Sequence, residues 1–522
     1  MSQFELTGSR LDDWWQRVST DPRAARAWRW GPPALVLGVA AATRLIGLDQ
    51  PHDLVFDETY YVKDSWTLLH LGYEGRWGPD PDPAFASGIV DTYDADPAFV
   101  AHPPLGKWVI ALGLAAFGAV DPTGWRIAVA LCGLLLVAGT MLLAHLLFRS
   151  TVLTTLAGFL LAIDGAGIVM SRVALLDGVL ALFVLAGVIA IVLDRRQAAR
   201  RLGDWVARRR EAGRPTDWGP VLWARPWLVA AGLAFGAASA VKWSGLYVLA
   251  AFGVVAVLSE LSLRRRAGIH FWVSGTVLRQ APASFLLLVP IAAAVHLASW
   301  TGWFVTDGGY ARHWVEEGGT AWSGPLAWVP TAFQNWWHYQ SLMYGYHVNE
   351  HDPHPYQANP LGWLLMLRPT SMYYADHGDG TASAILDIGN PLIWWAGAAA
   401  LVAVAVVAVR KLLRREPAWA EGVILAGVAA GWLPWMLYLG RTVFWFYTIV
   451  FEPYLLLAIV AVAGYLLGRA SDPERRRRAG IITVGVVAGL ALLLSLFFLP
   501  LWVGLDAPLW FQRLHYWFPS WI

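Results

Sequence analysis

The chain has 522 residues, 57% of them hydrophobic and only 15% charged, with a mean hydropathy of +0.47. A soluble domain carries about a quarter charged residues, so this composition excludes a soluble globular protein and points to repeated crossing of a bilayer. A net charge of +2 is no sign of a nucleic-acid partner, because the arginines are held in short runs and not spread over a face, and the single Cys132, inside an apolar run, excludes a disulfide framework or a thiolate metal site.

Residues 1–30 are polar and rich in Trp and Arg (Arg10, Arg17, Arg23, Arg26, Arg29). They lack a short apolar run ahead of a small-residue cleavage site, so they are expected to be a cytoplasmic segment, not a signal peptide. Apolar runs close to the length a helix needs to cross a bilayer follow at 31–48, 125–148, 151–171, 172–193, 227–241, 244–262, 281–304, 390–409, 421–440, 442–468 and 479–503. Short cytoplasmic loops are enriched in Lys and Arg. Segment 194–226 carries nine arginines, and Arg264-Arg265-Arg266, the Arg410–Arg415 cluster and Arg475–Arg478 are further basic turns. All are expected inside. Parity then places 49–104, with Asp49, Asp53, Asp57, Glu58, Asp64, Glu74, Asp80 and Asp82, outside. The run 105–120 is not expected to cross, because that would put the nine-arginine segment outside, and is expected to lie along the outer interface as an amphipathic or re-entrant helix.

The expected organisation is therefore a cytoplasmic segment 1–30, a membrane core 31–304 with an outer loop 49–124, an outer cap loop 305–389, a four-helix membrane region 390–503 and an outer tail 504–522. The cap is rich in Trp, His, Pro and Gly, which suits a functional loop better than a bare connector. Aromatic belts account for part of the 32 Trp, and sugar- or lipid-stacking surfaces for others.

Asp57-Glu58, in FDETYY, lies about ten residues beyond the first span. A solvated carboxylate pair and a general base held at the membrane surface are both compatible with that position. Arg44, Asp164, Arg172, Asp177 and Lys242 sit within or at the ends of apolar runs. Each costs about 2.5–3.5 kcal/mol at a helix centre, so such residues pair or line a cavity. Arg44 is also placed to snorkel, and Asp177 is near enough to Arg172 for a buried pair. Parity gathers Arg126, Arg172, Lys242 and Arg441 on the same outer face as Asp57, Glu58 and His102. His102-Pro103-Pro104 is an extended entry to the 105–120 helix, and Lys107 lies in its first turn. His347, His351 and His354 lack helical ligand spacing, so a zinc site is not favoured, and no GxGxxG loop is present to cradle a nucleotide.

The ordered stretches FDETYY, HPPLGKW with the later GWR, SRVALLD, AVKWSGLY, HPYQANPLGWLLMLRP and GRTVFWFY…EPY resemble the bacterial protein O-mannosyltransferases that use polyprenyl-phosphate-mannose. The resemblance spans roughly 44–454. It implies an all-α polytopic membrane protein of about 11 transmembrane helices, with the C-type glycosyltransferase fold and outer interfacial helices. The large lumenal insert of the eukaryotic members is absent. Implied activity is inverting transfer of mannose from polyprenyl-phosphate-mannose to Ser or Thr of exported polypeptides, on the non-cytoplasmic face of the cell membrane. The secretion translocon is a candidate meeting place. On this resemblance Asp57 is the base, with Glu58 beside it, and Arg126 the family's essential arginine. His102, Lys107, Arg126, Arg172, Asp177, Lys242 and Arg441 are candidates for donor phosphate or sugar, and His354 and Tyr356 for the acceptor cap. No cofactor is required, although a divalent cation is an option; partners are the lipid donor, the polypeptide acceptor and membrane lipids, with no nucleic acid. Two alternatives stand beside this reading. One is a related lipid-phosphate-sugar transferase acting on lipid A or cell-wall glycan; the other is a lipid or sugar transporter, which would show an inverted repeat.

Overall fold

In the computed structural model, residues 10–469 and 471–521 are described; the first nine residues of the N-terminal segment, Ala470, and Ile522 of the tail lie outside them. The polar start forms α1 (Arg10–Thr20), and Asp21 caps α2 (Pro22–Leu45) by accepting from the Arg23 amide at 3.0 Å. An irregular turn leads to α3 (Glu58–Leu71), strand β1 (Gly75–Trp77), one-turn α4 (Asp82–Ala86) and β2 (Tyr93–Pro97), which pairs antiparallel with β1. After His102, Pro104 already has helical backbone angles (φ −82°, ψ −14°) and sits at the start of α5 (Leu105–Phe117), so the extended entry expected for both prolines does not reach Pro104.

Asp121 caps α6 (Pro122–Phe148), and Ser150 caps α7 (Thr151–Ile163). At Asp164 the chain becomes extended (φ −78°, ψ 141°) and bends by 60° into α8 (Gly165–Arg172). The same carboxylate caps α8 through the Ala166 amide, and accepts from the Asn390 amide at 2.8 Å and from Trp394 Nε1 at 3.1 Å. Next come α9 (Leu176–Glu211), α10 (Pro226–Val241), α11 (Gly245–Ala267), and short α12 (Trp272–Ser274), which widens through a π turn into α13 (Ala281–Ser299). The remainder is α14 (Thr301–Val305), α15 (Thr331–Asn349), β3 (Thr370–Asp376), β4 (Thr381–Asp387), α16 (Pro391–Leu413), α17 (Trp419–Trp432), α18 (Glu452–Leu467), α19 (Glu474–Val503), β5 (Asp506–Pro508) and α20 (Leu509–Arg513).

Hydrogen bonds gather the basic turns at one end of this bundle. Arg196 donates to the last turn of α6, Arg225 pairs with Asp194 of α9, Arg210 donates to Ala267, Lys411 pairs with Glu421, and Arg477 pairs with Asp12. The opposite end holds the C-terminus of α2, α3, α5, the α8–α9 junction, the α10–α11 turn and the residues after α17. The helices α2, α6, α7 with α8, α9, α10, α11, α13 and α16 to α19 alternate between these ends. Among the described residues, seven helical segments are long and apolar enough to cross a membrane, or eight when the bent α7–α8 pair is one span. The expected spans at 227–241 and 442–468 fall on shorter apolar helices, α10 and α18, and the span at 31–48 falls on α2, whose first half is polar. The run 105–120 is α5, 13 residues and so about 20 Å long, short of a bilayer's width.

Residues 305–389, expected as a loop, contain α15 and the β3–β4 hairpin. The expected tail supplies β5 as the third strand of that sheet, and Trp521 Nε1 donates to the Met366 carbonyl at 2.7 Å. Arg44 does not snorkel. It is 1% exposed, and its Nη2 donates to the Leu161 carbonyl at 2.9 Å, filling acceptors that the end of α7 leaves free.

Candidate active site

Asp57 and Glu58 are adjacent in sequence and separated in role by the backbone. Phe56 is in the left-handed region (φ 52°), which bulky residues seldom adopt, and is held there against the rings of His354, Phe444 and Phe446 at 5.5–5.9 Å. After this turn Glu58 points into the protein, fully buried. It accepts from Arg126 Nε and Nη2, each at 2.9 Å, from the Val55 amide at 2.8 Å and from the Ala174 amide at 2.7 Å. Arg126 donates its other hydrogens to the carbonyls of Leu48, Pro51 and Asp53 at 2.8–3.0 Å. A guanidinium has five N–H donors, and all five are spent on protein. Glu58 and Arg126 therefore form a buried tie joining the 48–58 turn to α6 and the α8–α9 junction. Neither lines the cavities in this structure: the expected places of Glu58 at the chemistry and Arg126 at the phosphate are taken up by protein partners.

Arg172 is likewise bonded to protein. Its Nη atoms donate to the carbonyls of Thr43, Ile46 and Gly47 at 2.6–3.2 Å, capping the end of α2. The extended residues between α8 and α9 carry Asp177 away from it, and Asp177 pairs instead with Lys242 at 2.7 Å.

Two cavities open at the end of the bundle opposite the basic turns. The outer one, about 600 Å³, is lined by Asp57, Tyr61, Asp64, Lys107, Glu350 and His354 among others. The inner one, about 330 Å³, is lined by Asp177, Lys242, Trp243 and Tyr438. His102, His347, Arg441 and Tyr447 line both, so they form the wall where the cavities meet. A third, mostly apolar cavity of about 620 Å³ between α10, α11, α13 and α15 shares Trp243, Leu246 and Tyr344 with the inner one.

Asp57 makes no capping bond to α3; the Tyr61 hydroxyl hydrogen-bonds it. Burial pushes its carboxyl up to about 6, against the pull of Lys242, with Asp177 adding to the rise. Asp64 is raised to about 7, again chiefly by burial. Lys107 pairs with Glu74 and lies 4.0 Å from Asp64. Lys242 Nζ sits 4.7 Å from the Tyr447 ring centroid, so its charge meets Asp177 on one side and a π face on the other. His102 stacks on His347 with centroids 5.0 Å apart, and burial holds it well below the usual imidazole range. Tyr356 lies behind His354, beneath Arg368, and is not part of the cavity lining.

Thus the structure brings together Asp57, His102, Lys107, Asp177, Lys242, Arg441 and His354, and leaves Glu58, Arg126, Arg172 and Tyr356 out of the cavities. The sequence reading gave no role to His347, Asp64 or Tyr447. His347 bonds partners 246 and 94 positions away, a relation no local motif displays. Among the described residues, no group of three or more His, Cys, Asp or Glu is arranged to hold a metal ion.

A mostly helical membrane bundle, with a carboxylate and buried cations around cavities at one end, is the C-type glycosyltransferase architecture. The match to the yeast (S. cerevisiae) Pmt1–Pmt2 O-mannosyltransferase complex, solved bound to the sugar donor, gives a TM-score of 0.70 at 14% identity, covering 94% of this chain and 92% of that one. Residues 34–208 match the family model for dolichyl-phosphate-mannose-protein mannosyltransferase, and 332–521 match that for the C-terminal four-transmembrane region of protein O-mannosyltransferase. The polyprenol-phosphate-mannose–protein mannosyltransferase of Mycolicibacterium smegmatis is 32% identical over 95% of this chain and 93% of its own length. That of Corynebacterium glutamicum is 30% identical over 97% and 94%. The chain belongs to the protein O-mannosyltransferase family.

Proposed function

We propose that the protein transfers mannose from polyprenyl-phosphate-mannose to Ser or Thr hydroxyls of exported polypeptides, with inversion, on the non-cytoplasmic face of the cell membrane. The observation that carries this reading is the shared wall. Asp57 lies on one side of it, the Lys242–Asp177 pair on the other, and Arg441 on both. In a single displacement the base and the leaving group must flank the sugar.

Asp57 takes the proton of the acceptor hydroxyl, whose oxygen forms the new bond to the anomeric carbon as the carbon–oxygen bond to phosphate breaks. Polyprenyl phosphate leaves with the bonding pair, and Lys242 and Arg441 stabilise the charge it gains. Asp177 holds the Lys242 ammonium in place. The apolar cavity that adjoins the inner one suits the first units of the polyprenyl chain. The outer cavity, open toward Glu350 and His354, takes the acceptor segment as it leaves the translocon. Basic turns at the far end of the bundle support placing that end in the cytoplasm.

Incubating membranes with labelled polyprenyl-phosphate-mannose and a Ser/Thr-rich peptide tests the reading. Label in the peptide is expected; label confined to glycolipid would replace the polypeptide acceptor with a lipid or cell-wall one.

A further inference from the structure

His347, on α15, makes two hydrogen bonds that fix its protonation pattern. Its Nδ1 lies 3.0 Å from Arg441 Nη2, and its Nε2 lies 2.7 Å from the Ala101 carbonyl. A guanidinium nitrogen only donates, so Nδ1 must be the acceptor; a carbonyl only accepts, so Nε2 must carry the proton. The ring is therefore neutral, and burial followed by the Arg441 charge lowers it to about 4. Stacking on His102 and a tilted contact with Trp243 set the plane of the ring. Arg441 stands in a turn after α17 with its guanidinium against the Trp435 ring, and Nη2 has His347 as its side-chain partner.

We infer that His347 is a positioning residue: as a neutral acceptor anchored to Ala101, it aims the Arg441 guanidinium at the wall between the two cavities. Without it, Arg441 has rotatable bonds enough to turn toward the outer cavity and its acids Glu350 and Asp352. The bond also makes α15 part of the donor site, although α15 faces the donor cavity only through Tyr344, His347 and Val348. This inference rests on the proposal that Arg441 meets the departing phosphate.

A double-mutant cycle tests it. With labelled polyprenyl-phosphate-mannose and a Ser/Thr-rich peptide, kcat/KM is measured for His347→Phe, Arg441→Ala, the two combined, and His347→Asn. His347→Phe should lose about tenfold, and the combined variant should be no worse than Arg441→Ala, because the histidine acts only through the arginine. His347→Asn, which keeps an acceptor oxygen, should recover to within about threefold of the parent. The acid limb of the pH profile should not move in any of the single His347 variants. Should the phenylalanine variant not fold, His347→Leu gives the same cycle. Losses that multiply in the combined variant, or His347→Phe within twofold of the parent, would overturn the inference alone. Undiminished transfer by Arg441→Ala would instead remove the phosphate reading beneath it.

Discussion

Glu58 and Arg126 bury one charge each where water does not reach, and every hydrogen-bonding position of the arginine is filled. Removing one partner leaves the other charge uncompensated, which costs about 3–5 kcal/mol in such sites. Glu58→Gln should therefore lower the melting temperature of the purified protein clearly, and Arg126→Lys likewise, since an ammonium offers three donors where five are used. A variant of either kind with unchanged stability would contradict the buried tie. Asp57, one residue away, predicts pH behaviour instead. Its folded pKa of about 6 lies above the ordinary 3.8, so the folded protein binds this proton more tightly than the unfolded chain. Protonation thus favours the fold below about pH 6 and that contribution is lost as pH rises through 6, whereas the base is available only above it. Transfer should fall about tenfold per pH unit below 6 while this residue's stability contribution moves the opposite way. A flat rate between pH 5 and 7 would speak against Asp57.

At the level of elements, the end of α2 and the turn that follows carry the site, and Arg172 holds that end by its last carbonyls. Arg172→Lys keeps the charge but loses the fork. Lower thermal stability with donor KM within about twofold of the parent is expected, whereas Lys242→Gln should raise donor KM or lower kcat strongly. A large KM change for Arg172→Lys would return it to the phosphate. These two residues also mark what was legible beforehand. The gathering of Lys242, Arg441, His102 and Asp57 at the end away from the basic turns is expected from loop charge and parity alone. Which cations are free does not, because Arg126 and Arg172 are satisfied by carbonyls whose positions depend on how the 43–53 segment turns. Glu58 looks equivalent to Asp57 in sequence; only the left-handed Phe56 turns one inward and leaves the other at the cavity. The helix and hairpin of 305–389 were illegible for a related reason. Hairpin β3–β4 is completed by β5 from beyond residue 500, a pairing without local signal.

Across the whole molecule, alternating helices carry arginine turns to one end and the cavities to the other. With Cys132→Ser as background, Arg209→Cys should react with a membrane-impermeant maleimide only in inside-out vesicles, and Asp379→Cys, at the β3–β4 tip, only in intact cells. The reverse labelling would invert the proposed orientation. In the proposed reaction Lys242 and Arg441 supply the positive charge that the leaving phosphate needs, so the proposal expects transfer to survive chelation of divalent ions, measured with EDTA-treated purified protein; abolition reversed by added Mg²⁺ or Mn²⁺ would assign part of that role to a metal.

The most direct measurement is single-turnover transfer by Asp57→Asn beside its donor affinity. The substitution keeps size and removes only the charge that accepts a proton. Donor should bind within a few-fold of the parent while mannose transfer falls by about 10²-fold or more; transfer near the parental rate with donor bound would contradict the account at its centre.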